Sequence, residues 1–303
     1  MRNVVATAGL ALAVGLPWLV GAQESIPVGQ VATPRVAAQL VMESTGVTPG
    51  GTLNLGVLVN IIPEWHIYWT NPGESGLPTR FVLSSVPGVS LGDIQWPAPH
   101  SFHPSEEVIN YGYDGQVLFP FTIQVEPVVK VGEVLPVQVE MKWLACREAC
   151  VPGTTRVSLK VPVVATPGAG LHTSLFESSR AQLPTPPNKT DRLMFQWEPR
   201  ADHAAVVVEV WGANDIEFFP SATSDYQVSK STPGRSKEGP TQRLELVGPS
   251  PSAPPQGDSP PSLRGVVVWH ERGIGSEKLK LKVRDVQVKA NSPIPEFTTP
   301  SGR

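Results

Sequence analysis

Val137-Gln-Val-Glu-Met-Lys-Trp143 carries the clearest structural signal in the chain, because apolar and polar residues alternate in it with a strict period of two. Such alternation is typical of a β-strand with one buried and one exposed face. The stretch continues as Leu-Ala-Cys146-Arg-Glu-Ala-Cys150, and residues 155–161 repeat the alternation. It therefore predicts two strands joined by a three-residue connection, with a cysteine at each end.

Similar short apolar runs recur along the chain and are separated by turn signals rich in Pro, Gly and Asp. They lie at residues 53–60, 117–125, 193–197, 204–211, 243–247, 265–269 and 278–284. Short strands at this spacing predict antiparallel sheets, and 303 residues are enough for two domains of ordinary size. We predict an all-β fold: two immunoglobulin-like β-sandwich domains joined by a Pro-rich linker.

The start of the chain has the composition of a secretory signal peptide. Arg2 precedes an apolar run, and small residues end it near Ala22. Residues 1–22 are therefore predicted to be a cleaved signal, with an uncleaved N-terminal anchor as the alternative. Export places the remaining chain in an oxidising compartment, where a disulfide persists. The formal net charge of −3 gives no basic face for phosphates, which argues against nucleic acid as a partner.

Changes in composition predict the domain boundaries. The first domain is placed at residues 30–165, the linker at 166–190 and the second domain at 191–289, followed by a disordered tail at 290–303. Within the linker, apolar positions at Leu171, Leu175, Phe176 and Leu183 predict one short helix, ended by the prolines that follow. The Pro/Ser-rich residues 249–262 and the polar residues 229–240 are predicted to be loops.

Cys146 and Cys150 are the two cysteines of the chain. Extending the period of two places Cys146 in phase with polar residues such as Glu140 and Lys142, so we expect it to be reachable from solvent or from a covering loop. Arg147 is expected to favour the Cys146 thiolate if the two side chains approach.

Three interpretations of this pair are open. A structural bridge that closes so few residues contributes only about 2 kcal/mol, whereas a short, accessible bridge is suited to thiol exchange. Metal binding is the least favoured, because zinc takes four ligands and no second cysteine pair exists. Redox function is therefore the leading hypothesis, with a structural staple second.

The segment Trp143-Leu-Ala-Cys-Arg-Glu-Ala-Cys-Val-Pro-Gly153 resembles the active-site hairpin in the N-terminal periplasmic domain of the thiol:disulfide interchange protein DsbD. It is most similar to the ScsB-like (suppressor of copper sensitivity) variant, whose cysteines have the same spacing. Trp65-His-Ile-Tyr-Trp69 resembles the family's early aromatic strand, and Asn110-Tyr-Gly-Tyr-Asp-Gly115 belongs to a middle segment that also matches. The resemblance covers about residues 35–165 and extends more weakly to the unit after residue 190.

The resemblance implies an immunoglobulin-like domain in which Cys146 and Cys150 are the redox pair. It also implies a surround of aromatic residues and a loop that shield this pair. On this chain the shielding residues are expected to be His66, Tyr68, Phe102, Tyr111 and Tyr113, with ordinary core packing as the alternative for each. His66 is also a candidate proton acceptor near the thiols.

The resemblance further implies thioredoxin-fold redox partners: an electron donor in trans, a disulfide isomerase-like acceptor, and a DsbD/CcdA-type membrane protein. It connects the chain with the periplasm, copper tolerance and cytochrome c biogenesis. Family members continue into membrane helices and a thioredoxin-like domain, so the sequence predicts a stand-alone module or a truncated product. The alternative function is a non-catalytic scaffold of an envelope or copper-tolerance complex with a structural disulfide.

No cofactor and no resident metal are expected. His100 and His103, with Glu106 and Glu107 nearby, have side chains that bind copper or zinc. The spacing is equally typical of a polar loop, which is the favoured interpretation.

Overall fold

The computed structural model describes residues 35–105, 108–188, 190–199, 204–248, 262–272 and 279–289. The predicted signal peptide, most of the predicted loop at 249–262 and the predicted tail lie outside these residues. Regular structure in the described part is almost entirely antiparallel strand, so the predicted all-β, immunoglobulin-like fold class is confirmed. In chain order the elements are β1 (Val36–Met42), β2 (Thr52–Ile61), β3 (His66–Gly73), β4 (Arg80–Leu83), β5 (Val89–Leu91), β6 (His100–Phe102), β7 (Asn110–Tyr113), β8 (Gln116–Val125), β9 (Val134–Cys146), β10 (Cys150–Pro162), α1 (Thr173–Arg180), β11 (Leu193–Pro199), β12 (Ala204–Val210), β13 (Ala213–Pro220), β14 (Gln227–Arg235), β15 (Pro240–Val247), β16 (Ser262–Arg272) and β17 (Leu279–Lys289).

The first ten strands form two sheets that enclose a common core. One sheet has the order β1-β2-β8-β5 and the other the order β10-β9-β3-β7-β6, with β4 paired to an earlier part of β9. Leu55 and Phe119 of the first sheet and Val139 and Met141 of the second belong to one buried cluster and are fully buried. The sandwich therefore depends on apolar burial between its sheets.

Strand β9 follows the predicted alternation over most of its length. Residues 135, 137, 139, 141, 143 and 145 are buried, and the polar residues between them lie on the outer face. β10 pairs with β9 from Pro162–Val134 to Cys150–Cys146 without a register shift. This long hairpin carries the two cysteines at its far end.

Gly115 turns the chain between the two sheets rather than within a hairpin. It separates β7 of one sheet from β8 of the other, and its φ of 59° is in the left-handed region that glycine adopts at low cost. Asp114-Gly115 is thus a turn as its composition suggests, but the strands on either side of it are not paired.

The segment between the two β-rich parts packs against the first sandwich. α1 buries Phe176 against Val41, Leu58 and Leu118. The predicted helix is therefore present but shorter than residues 171–183. Leu171, which the sequence places on its apolar face, lies before the helix and is 98% exposed.

The second β-rich part also has two sheets, in the orders β11-β12-β15-β14 and β13-β16-β17. Its own core contains Phe195, Trp269 and Leu244, among others. Phe219 and Val266 instead join the core cluster of the first sandwich. Apolar burial therefore joins the β13-β16-β17 sheet to the first sandwich.

The prediction of a loop at residues 229–240 is wrong. Most of this segment belongs to strand β14, which pairs with β15 over Gln227–Val247 to Arg235–Pro240. β14 lies at the edge of its sheet, and most of its residues are exposed. Because neither face is deeply buried, the strand lacks the apolar alternation by which β9 is recognised.

Candidate functional site

The two cysteines lie at the tip of the β9–β10 hairpin. They are opposite each other in the strand register, with Cα atoms 4.1 Å apart, and they form a disulfide. Residues 147–149 make the predicted three-residue connection, in which the Arg147 amide donates to the Ala149 carbonyl at 3.4 Å. The hairpin itself thus brings the two sulfurs together.

The two halves of this disulfide differ in exposure. Cys150 is exposed, whereas Cys146 is 3% exposed. Of the two expected routes to Cys146, access from a covering loop stays a prediction, and access from solvent is wrong in this oxidised form. The cause is β3, which pairs with the end of β9 and places His66 directly opposite Cys146.

His66, Tyr68 and Phe102 form an aromatic group on the same sheet face as Cys146. The Phe102 ring stacks on the His66 ring with centroids 4.4 Å apart, and Tyr68 meets His66 edge-on at 5.2 Å. Gly112 lies between Tyr68 of β3 and His100 of β6 in the register. Gly112 packs closely against β3, where an added Cβ would lie 2.0 Å from the Ile67 carbonyl oxygen.

Tyr68 approaches the exposed sulfur. Its hydroxyl oxygen lies 4.0 Å from the Cys150 Sγ. Burial raises the pKa of Tyr68, so the hydroxyl stays protonated and can donate a hydrogen bond to a Cys150 thiolate. The ring is covered by Gly76, where an added Cβ would lie 2.3 Å from the Tyr68 Cζ.

The segment that covers Tyr68 is fixed by Asn110. The Asn110 Oδ1 accepts hydrogen bonds from the Ser75 amide at 3.1 Å and from the Ser75 hydroxyl at 2.9 Å. Sequence reasoning missed Asn110, Ser75 and Gly76 as site residues. The signal available in the sequence was the glycine at position 76, and in the structure its φ of 93° is in the region that favours glycine.

Arg147, which was expected to favour the Cys146 thiolate if the two side chains approach, is engaged by two carboxylates. Its guanidinium bonds the Glu64 carboxylate at 2.9 Å and the Glu148 carboxylate at 3.5 Å. Both contacts are at the surface. The hairpin tip is thus held to the turn before β3, and the positive charge of Arg147 is largely compensated.

Tyr111 and Tyr113 are not brought to the disulfide. Tyr113 is opposite Ile67 in the register and points into the core, where its hydroxyl donates to the Pro97 carbonyl at 2.8 Å. Tyr111 shares that face and meets Phe219 edge-on at 5.5 Å. Burial raises the pKa of Tyr111 to about 12. Of the expected shielding residues, His66, Tyr68 and Phe102 are therefore grouped on the cysteine face and these two tyrosines are not.

His66 is buried without a partner for one ring nitrogen. Its side chain is 8% exposed, and its Nε2 has no hydrogen-bond partner among the described residues. Burial lowers the pKa of His66 below its ordinary value of 6.5, and the charge of Asp114 opposes this only in part. The imidazole is therefore neutral at pH 7 and lies beside the sulfur-bearing strand as an uncharged group.

The lowered pKa of His66 predicts an acid-sensitive stability. Below pH 6.5 the unfolded chain takes up a proton that the folded protein does not, so the free energy of unfolding falls as pH falls, until the pH reaches the folded pKa. We expect this term to have a slope of up to about 1.4 kcal/mol per pH unit and to be lost in His66→Gln. Urea unfolding at pH 7.5 and 5.5 measures it.

The control is His172→Gln, because His172 is half-buried and its side chain makes no hydrogen bond at the start of α1. An unchanged pH slope in His66→Gln would contradict the burial argument.

Removing the Phe102 ring is expected to speed chemical reduction of the disulfide. Stacking of Phe102 on His66 stabilises the closed arrangement, in which Phe102 lies on the face of the disulfide, by roughly 0.5–1.5 kcal/mol. Phe102→Ala should therefore raise the rate of reduction by dithiothreitol roughly twofold to tenfold. Quenched alkylation over time gives the rate. Trp211→Ala removes a half-exposed aromatic ring from the second β-rich part and should leave the rate unchanged. Equal rates in Phe102→Ala and the wild type would remove Phe102 from the cover.

His100 and His103 do not form a metal site with their described neighbours. His100 Nδ1 lies 3.1 Å from Asp114 Oδ1, and Glu106 and Glu107 are outside the described residues. Within the described ranges, no group of three or more His, Cys, Asp or Glu side chains is arranged to hold a metal ion. In the same part of the chain, no helix is both long and apolar enough to cross a membrane.

These features define the class of the protein: an immunoglobulin-like β-sandwich whose longest hairpin ends in a half-exposed disulfide. Residues 36–162 match the family model described as thiol:disulfide interchange protein DsbD, N-terminal. This part of the chain, which holds the hairpin and both cysteines, is therefore a DsbD N-terminal-like domain.

Among solved structures, the chain is similar to the N-terminal periplasmic domain of ScsB from Proteus mirabilis. The TM-score is 0.60 at 13% identity, covering 86% of this chain and 98% of that chain. The similarity concerns the fold and includes the second β-rich part. The yeast GGA1 GAE domain, at a TM-score of 0.25 and 12% identity, covers 45% of this chain and 97% of its own. No curated protein matches the sequence significantly.

Proposed function

We propose that the chain is a periplasmic thiol–disulfide exchange module, which passes electrons between thioredoxin-fold proteins through Cys146 and Cys150. The observation that carries the proposal is the asymmetry of the disulfide. One sulfur, in Cys150, is exposed at a hairpin tip, and the other, in Cys146, is buried behind it. Exchange requires one sulfur that a partner thiolate can reach and a second that resolves the intermediate.

The proposed reaction moves two electrons in two displacements. A thiolate of the donor attacks the Cys150 Sγ, the Cys146–Cys150 bond breaks, and Cys146 leaves as the thiolate. The donor's second thiolate then attacks the donor sulfur of this mixed disulfide, and Cys150 leaves as the thiolate. The donor becomes a disulfide and the domain a dithiol after two protons are taken up. The reverse sequence reduces an acceptor disulfide.

The residues around the pair have complementary roles in this proposal. The Tyr68 hydroxyl, 4.0 Å from the Cys150 Sγ, is placed to donate a hydrogen bond to the Cys150 thiolate. The buried, neutral His66 and the Phe102 ring keep the Cys146 face dry. Because a buried thiolate is disfavoured, the Cys146 sulfur that leaves as a thiolate takes up one of the two protons. Cys150 is therefore the sulfur that meets partners.

Family membership of residues 36–162 supports thioredoxin-like redox partners and a periplasmic location. We propose a thioredoxin-fold electron donor and a disulfide isomerase-like acceptor, with a DsbD/CcdA-type membrane protein as the source of electrons. We also keep the division into a redox domain at residues 30–165, a linker at 166–190 and a second domain at 191–289 as part of the proposal.

An exchange assay tests the proposal. The reduced chain is mixed with an oxidised thioredoxin-fold isomerase, and after an acid quench each protein's free thiols are counted by alkylation and mass. We expect two thiols to appear on the isomerase for every two lost from the chain, within seconds to minutes. The Cys146→Ser/Cys150→Ser double variant is the control and should transfer none. No transfer by the wild type, with either protein as the reductant, would refute the proposal.

A further inference from the structure

Strand β6 is a short edge element between the disulfide face and the second β-rich part. Its three residues pair with β7, as His100–Gly112, Ser101–Tyr111 and Phe102–Asn110. Successive strand residues point to opposite faces of a sheet. Phe102 therefore faces His66 and the cysteines, while Ser101 faces the other way, towards β13.

The contact on the Ser101 side comes from Glu217 of β13. The Ser101 hydroxyl donates a hydrogen bond to the Glu217 Oε1. Glu217 is half-buried, and its pKa is raised by burial, although Ser101, His100 and His103 oppose that shift. This is a polar contact between the two β-rich parts inside a largely apolar junction.

The neighbouring residues of β13 reach the same edge of the first sandwich. Phe219 packs edge-on against Tyr111 at 5.5 Å and against Trp69 at 6.4 Å. The Pro220 carbonyl accepts a hydrogen bond from the Asn71 Nδ2 at 2.7 Å. β13 is therefore fixed against β3 and β7, and Glu217 reaches β6 from a rigid support.

We propose that Glu217 is a positioning residue for the cover of the disulfide: by holding Ser101, it keeps β6 in place so that Phe102 stays stacked on His66. The second β-rich part then sets how often the cysteine face opens. A three-residue edge strand has few backbone hydrogen bonds and opens locally at low cost. The single hydrogen bond from Ser101 to Glu217 therefore contributes measurably to keeping β6 paired with β7. The effect on partner exchange rests on the proposed function, but the coupling itself needs no partner.

The test measures reduction of the disulfide by dithiothreitol in the full chain. A net side-chain hydrogen bond corresponds to a change of roughly twofold to tenfold in an opening equilibrium. We expect Glu217→Ala and Ser101→Ala each to raise the reduction rate by that factor. The double variant should be no faster than the faster single variant, because both remove the same bond. Glu217→Gln keeps an acceptor oxygen and should restore a rate close to that of the wild type.

A matched control exists in the second β-rich part, where the Ser236 hydroxyl donates to the Glu209 Oε1. Glu209→Ala and Ser236→Ala remove the same type of bond away from β6 and should leave the reduction rate unchanged. Hydrogen–deuterium exchange of the peptide that contains residues 100–102 supplies a second readout. It should be faster in Glu217→Ala and Ser101→Ala, and unchanged in Glu217→Gln.

Three results would overturn the inference: wild-type reduction rates in both Ser101→Ala and Glu217→Ala, equal acceleration in the Glu209 or Ser236 variants, or an acceleration that rises with urea as steeply as global unfolding. If reduction responds as expected but no thioredoxin-fold protein exchanges with the chain, the positioning role stands and the proposed function fails.

Discussion

Replacing Cys146 by serine is expected to leave a chain that reacts readily with a thioredoxin-fold partner, whereas replacing Cys150 by serine is expected to leave one that reacts at least about tenfold more slowly. Thiol exchange requires access to the attacking sulfur. The Cys150 sulfur is at the exposed side of the hairpin tip, while Cys146 is 3% exposed and lies beside His66. The difference in rate is thus a direct consequence of the burial asymmetry.

The measurement uses a partner with one active-site thiol, activated as a mixed disulfide with thionitrobenzoate. Attack by the remaining cysteine of the chain releases coloured thionitrobenzoate and forms a covalent complex, which is counted on a non-reducing gel. Both single variants should match in fold and stability, so their circular dichroism spectra and urea midpoints serve as controls. A Cys150→Ser chain that reacts as fast as Cys146→Ser would contradict the assignment of Cys150 as the sulfur that meets partners.

Replacing Asp191 by alanine is expected to destabilise the protein by about 3–5 kcal/mol, the cost of leaving one charge of a buried ion pair without its partner. Asp191 is 2% exposed and receives two hydrogen bonds from the Arg284 guanidinium, at 2.6 and 2.8 Å. The Arg284 side chain is 11% exposed and also bonds Thr185 at 3.0 Å. This pair ties the segment before β11 to strand β17.

Urea unfolding at neutral pH measures the effect, and Arg156→Ala is the matched control. Arg156 also forms an ion pair with a carboxylate, Glu140, but its side chain is 70% exposed, so its removal should cost less than about 1 kcal/mol. If Asp191→Ala lowers the free energy of unfolding by no more than Arg156→Ala does, the Asp191–Arg284 pair does not hold the segment before β11 to strand β17.

The parts of the fold that could be predicted from the sequence are those with one buried face. The alternation in β9 predicted its strand, its buried residues and its connection to β10, because a strand between a core and solvent alternates by necessity. β14 could not be recognised in this way, since it is an edge strand exposed on most of its length. Leu171 was placed on a helix face by its spacing from Leu175, but the helix starts after it.

The pairing of the two cysteines was predictable from the sequence, but the surroundings of the pair were not. The spacing of Cys146 and Cys150 predicted that the hairpin would bring them together. The burial of Cys146 depends on β3, which is remote in sequence, so periodicity within β9 could not show it. Tyr111 and Tyr113 were expected near the cysteines because of the family resemblance, yet they share the face of Ile67. The contact between Ser101 and Glu217 joins residues 116 positions apart, which local patterns cannot reveal.

The central claim is that the Cys146–Cys150 bond opens and closes reversibly under the conditions in which thioredoxin-fold proteins work. Its most direct test is the reduction potential of the pair, obtained by equilibrating the full chain with thiol–disulfide buffers of known ratio and counting free thiols by alkylation. We predict a value between about −270 and −180 mV, the range spanned by thioredoxin and protein disulfide isomerase. A value below about −300 mV, which is typical of structural disulfides, would show that the bridge is an inert staple.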